Sequence, residues 1–177
     1  MKQEKTIDKS VYFLIATNLI PIFGMLFLNW SLFSVLLLCW MESAIIGFFN
    51  VIKMAMSRTF PKNPALQKYN KNQQLVLSVV LKLFFIPFFC AHYGGFMLGH
   101  LVFIYFIGNM PAIMNSGVGI SMQILKSYVL EIIIPFLALF LSHGYSFFAN
   151  FLAKKEYKET STVALMIQPY LRIIIMH

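Results

Sequence analysis

The feature that governs how this chain can fold is a succession of long apolar runs separated by short polar joints. Val11–Leu28, Ser31–Met56, Leu75–Ile107 and a run from about Ser121 to Ala153 carry few charges. Each meets or exceeds the requirement of about 20 apolar residues for a transmembrane helix. Hydrocarbon offers no partner to backbone N–H and C=O groups, so such a run must pair them within itself, as a helix does. Only 11% of the 177 residues are charged and 59% are apolar, whereas soluble domains run at about 25% charged. The expectation is an all-α, polytopic transmembrane helical bundle forming a single integral membrane domain over 1–177. It has four spanning helices and a short C-terminal hydrophobic segment, 163–177, too short to cross alone.

The joints set the orientation. Residues 1–10, the joint 57–74 and the segment 154–160 hold most of the Lys and Arg, while 108–120 carries no charge and is rich in Gly, Asn and Pro. By the positive-inside rule the amino terminus and the two basic joints face the cytoplasm, and 108–120 is an external loop. This describes a multi-pass protein of the inner (cytoplasmic) membrane. The net charge of +8 is then directed at anionic lipid headgroups, not at nucleic acid. The third run is too long for an untilted span, reaching about 50 Å at about 1.5 Å per residue. Pro87 and Gly94–Gly95 offer bends within it, and Lys82 can snorkel toward the inner interface. Cys39 and Cys90 lie within apolar runs and have no metal or redox spacing.

The informative residues are the polar ones that hydrocarbon penalises. Glu42 and Glu131 lie inside apolar runs, where a charged group costs about 2.5–3.5 kcal/mol on insertion scales. By position along the runs, Glu42, His92 and His143 share a middle layer, with His100 and Glu131 further out. Glu131 also has Lys126 close by in sequence as a partner. Small-xxx-small steps at Ser43/Gly47 and Gly95/Gly99 suit close helix packing. Asn50 lies two turns below Glu42, and His143, Ser146 and Asn150 repeat at helical spacing.

Glu42, His92 and His143, with His100 assisting, make a plausible ligand set for a divalent transition metal such as zinc or iron, drawn from several helices. No local metal motif accompanies them. Axial haem ligation by His92 and His143 is a weaker version of the same idea. The leading expectation is therefore a metal-binding membrane protein or metal-dependent membrane enzyme. A transporter-like or proton-relay module could use the same residues without metal. In a structural membrane subunit they would only fix helix packing. No nucleophile pattern and no glycine-rich phosphate loop is present.

Several stretches resemble a family of small polytopic bacterial and archaeal membrane proteins catalogued as a domain of unknown function. They are Met41-Glu42-Ser43 with Gly47, Asn50 through Met54, Phe88 through His100 (FFCAHYGGFMLGH), Leu141 through Asn150 (LSHGYSFFAN) and Pro169 through His177 (PYLRIIIMH). The resemblance implies a helical membrane fold and no activity. It adds Asn50, Asn150, Arg172 and His177 to the candidate polar-site residues and leaves Glu131 outside. It also implies that relatives continue past His177 with another hydrophobic helix, so that this chain is truncated there.

Overall fold

The computed structural model describes residues 19–27, 29–57, 69–116 and 122–176. Side chains at 20–22, 109–116, 122–131 and 171–176 fall outside that description. The described residues are helical, with no strand among them. In chain order the helices are α1 (Ile20–Phe27), α2 (Leu32–Met56), α3 (Lys71–Ser116), α4 (Met122–Ser146) and α5 (Thr162–Met176). A π-helical segment, Phe147–Leu152, continues from α4, and one 3-10 turn, Glu156–Lys158, precedes α5.

Local signals set the helix ends. Asn29 takes φ 52°, the left-handed conformation that Asn tolerates and that ends helices. The Trp30 N–H reaches back to the Gly24 carbonyl at 3.1 Å. Ser31 caps α2, its Oγ accepting from the Ser34 N–H at 3.1 Å. Ser161 does the same for α5 through the Ala164 N–H at 3.1 Å. α3 opens on a capping box. Gln73 Oε1 accepts from the Asn70 N–H at 3.1 Å, and Asn70 Oδ1 receives the Asn72 N–H at 3.4 Å. At the far end of α2 the Lys82 ammonium donates to the Ala55 carbonyl at 2.8 Å. That carbonyl belongs to the last turn, where a cation also complements the helix dipole.

Among the described residues, three helices are long and apolar enough to cross a membrane: Leu32–Met56, Lys71–Gly108 and Ile132–Leu152. Four spans were expected. The first, 11–28, lies mostly outside the described residues, and its described part, α1, has 8 residues. The third helix also differs from expectation, beginning at Lys71 and ending at Ser116 instead of 75–107. The capping box explains the early start. The uncharged stretch expected as an external loop continues the helix over 108–116, and Pro111 removes one backbone bond without ending the ladder. Where a helix 121–153 was expected, α4 and the π segment cover 122–152, and where a segment 163–177 was expected, α5 covers 162–176, with His177 outside the described residues.

The described residues group into two compact units. One lies within Met1–Glu42 and Gly99–Ser146, the other within Ser43–Leu98 and Phe147–His177. In the first, Leu38, Ile104, Ile132 and Leu139 are buried, and Phe33 packs on Gly108. In the second, the core is Ile45, Met54, Phe89, Tyr93, Phe147, Phe151 and Leu165. There Gly47 has a definite purpose, since a Cβ at this position would lie 2.5 Å from the Tyr93 ring. The Tyr93 hydroxyl donates to the Ser43 carbonyl at 2.8 Å. The Ser43/Gly47 step is thus a packing step. At Gly94, Gly95 and Gly99 a Cβ would meet nothing within 4 Å among the described residues.

Candidate functional site

Two polar centres lie within the apolar helices, one in each unit. In the first unit, Glu42 is carried by α2 and His143 by α4. Glu42 is 3% exposed and its Oε1 lies 3.3 Å from His143 Nε2. Both residues belong to helices able to cross a membrane. The buried Ser142 precedes His143 on α4. A carboxyl and an imidazole at this separation can share one proton, either as a neutral pair or as an ion pair. Both forms have no net charge, which limits the cost of holding them away from water.

The second unit holds His92. Its Nδ1 forms a 2.8 Å hydrogen bond with the Tyr170 hydroxyl on α5. The imidazole stacks on Phe88 at 5.6 Å and 10°, and Phe88 in turn stacks on Phe84 at 6.0 Å and 12°. Tyr170 packs edge-on against Phe89 and Tyr93, and burial pushes its hydroxyl pKa up from the ordinary 10.0. Two further contacts fasten α5. Asn50 Nδ2 donates to the Leu165 carbonyl at 2.8 Å, and Ser57 Oγ and Thr162 Oγ1 lie 3.1 Å apart. The Asn50 contact has a covalent cause. In an α-helix the carbonyl of residue 165 accepts from the N–H of residue 169, and residue 169 is Pro, which has no N–H. Asn50 supplies the missing donor to a buried acceptor.

Of the residues expected to form the site, Glu42 and His143 come together. His92 belongs to the second unit and is engaged by Tyr170. His100 is half-buried on α3. Among the described residues no group of three or more His, Cys, Asp and Glu is placed to hold a metal ion, so the zinc or iron expectation gains no support. Asn50 is a helix-fastening residue. Asn150 lies in the π segment, where the Ala153 N–H reaches the Phe148 carbonyl at 3.0 Å. Arg172 lies on α5 with its side chain outside the description, as are those of Glu131 and Lys126. His177 lies outside the described residues altogether. Sequence reasoning missed Tyr93, Tyr170, Ser57 and Thr162. Tyr93 and Tyr170 stood inside the quoted HYGG and PYLR stretches, and nothing in an apolar run says which helix faces which.

The model of a family of unknown function, DUF6498, matches residues 1–177. No curated protein and no solved structure matches the chain.

Proposed function

We propose a function from geometry, since the chain belongs to DUF6498, a family of unknown function whose membership carries no chemistry of its own. Glu42 and His143 form an intramembrane proton-exchange pair in a transporter-like or proton-relay protein. The observation that carries this reading is the 3.3 Å contact between His143 Nε2 and a Glu42 carboxylate that is almost wholly excluded from solvent. Ionisable groups in spanning helices are expensive to keep and mark ion or proton pathways. Among the described residues two donors meet here, fewer than the three or four protein ligands of a typical zinc site. A proton needs only two facing groups whose protonation states interconvert. We place the protein in the inner membrane as a multi-pass protein. Its amino terminus, the 57–74 joint and the 154–160 segment lie on the cytoplasmic side, toward anionic headgroups. Lys154, Lys155 and Lys158, exposed at the exit from the π segment, support that placement.

Proteoliposomes with an internal pH dye test the function. Under an imposed pH gradient the protein should conduct protons, Glu42→Gln should abolish the flux, and His143→Gln should reduce it by at least tenfold. Flux equal to that of empty liposomes, or flux retained in Glu42→Gln, removes this reading. Labelling of single cysteines introduced at positions 3 and 158, from one side of sealed vesicles, tests the orientation.

A further inference from the structure

The last turn of α2 carries a cation without an acceptor. Lys53 lies there, half-buried, with its ammonium 5.6 Å from the centre of the Phe151 ring. Among the described residues it makes no hydrogen bond and no ion pair, and Glu156 acts on it only from a distance. A ring face attracts a cation, but an ammonium has three N–H donors and the ring cannot satisfy them all. Holding such a group partly out of water without acceptors is costly. Its remaining donors call for oxygen atoms from outside the protein.

Lys53 is one end of a ladder. The chain turns at Lys155, with φ 58°. Beyond the turn the Tyr157 ring lies 6.2 Å from Phe151, and the Lys158 ammonium stands 6.0 Å from the centre of Tyr157. Two cations thus flank two rings drawn from α2, the π segment and the 3-10 turn, all in the second unit. Phe151 is buried, Tyr157 half-buried and Lys158 exposed, so the ladder leads from the interior to the surface. Charge and position identify the ligand. Lys82 donates to the Ala55 carbonyl in the same last turn of α2. Lys53, Lys82, Lys154, Lys155 and Lys158 therefore stand at this end of the unit against two acids, Glu156 and Glu159. α2 is long and apolar enough to cross a membrane, and its last turn is where hydrocarbon gives way to headgroups, the level at which Tyr is also enriched. The acceptors available at that level are phosphate and ester oxygens, and the excess of lysine selects headgroups of net negative charge.

We propose that Lys53 binds the phosphate of an anionic phospholipid, with Phe151 fixing the ammonium and Tyr157 and Lys158 lining the approach. The site rests on the reading above that sets this end of the molecule among anionic headgroups. It is independent of the Glu42–His143 pair.

The full chain in nanodiscs of phosphatidylcholine doped with phosphatidylglycerol tests this, through native mass spectrometry of the lipids that stay on the released protein. Phosphatidylglycerol should be retained well above its bulk fraction. Lys53→Met, which keeps the apolar stem and removes the charge, should reduce that enrichment about fivefold, the equivalent of about 1 kcal/mol per lysine near an anionic surface. Lys53→Arg should preserve it, and Lys158→Met should reduce it by less than Lys53→Met. Equal retention of the two lipids by the unaltered protein would overturn the site, as would enrichment unchanged in Lys53→Met. Excess inorganic phosphate should leave the retained lipid in place; its displacement would assign the site to free phosphate and overturn the lipid ligand. A spin label at 155 reads depth separately. A label away from the headgroups removes the placement and the site together, whereas a label at headgroup depth without phosphatidylglycerol enrichment removes the site alone.

Discussion

Asn50 shows how one side chain can compensate for a defect in another helix. Proline at 169 removes a backbone donor, the buried Leu165 carbonyl loses its intrahelical partner, and the Asn50 amide replaces it at 2.8 Å. Asn50→Leu should therefore destabilise the protein by about 1–3 kcal/mol, the cost of a buried unsatisfied acceptor. Thermal unfolding in detergent measures it. The same substitution in a Pro169→Ala background should cost much less, because alanine at that position restores the N–H, and a double-mutant cycle reads that coupling directly. Gly47 makes a second residue-level prediction. A methyl group there meets the Tyr93 ring, so Gly47→Ala should cost about 1–3 kcal/mol through overpacking. Tyr93→Leu should relieve that clash, while forfeiting the bond to the Ser43 carbonyl. The stability change caused by Gly47→Ala, measured with and without Tyr93→Leu, decides it.

At the level of helices, caps matter more than the apolar count. Leu75 begins the third apolar run, yet α3 begins at Lys71, because Asn70 and Gln73 satisfy backbone donors of the first turn. Gln73→Ala should fray that turn. Faster amide hydrogen exchange at 71–74, with exchange around Phe89 unchanged, is the expected result. The Asn-x-x-Gln pattern was legible in the sequence and would have moved the boundary. Apolar runs made α2, the body of α3, α4 and α5 legible for a direct reason, since hydrocarbon permits little but helix. Continuation of α3 through 108–116 was hidden, because Gly, Asn and Pro also compose loops and only the completed ladder distinguishes the two. Among site residues, position along the runs brought Glu42 and His143 into one layer. It gave no sign that Tyr170 engages His92, because depth carries no information about which helix faces which. Tyr170 shows the gap: its hydroxyl engages His92 across 78 residues of sequence.

For the molecule as a whole, α3 raises a question of fit. Its apolar stretch, Lys71–Gly108, has 38 residues and measures about 57 Å at about 1.5 Å per residue. Lying wholly within about 30 Å of hydrocarbon would require a tilt of about 58°, beyond the roughly 0–40° seen for transmembrane helices. From Lys82 onward the remaining length of about 39 Å fits at about 40°. The turns before Lys82, with Leu75, Val76, Val79 and Val80 all exposed, then emerge among the headgroups. Spin labels at 76 and 92 should report different depths, shallow at 76 and near the midplane at 92. Such a helix is mismatched to an ordinary bilayer and relieved by a thick one. The unfolding temperature should climb as nanodisc lipids change from shorter to longer acyl chains, and in a cell with membranes of unequal thickness the protein should be sorted toward the thickest.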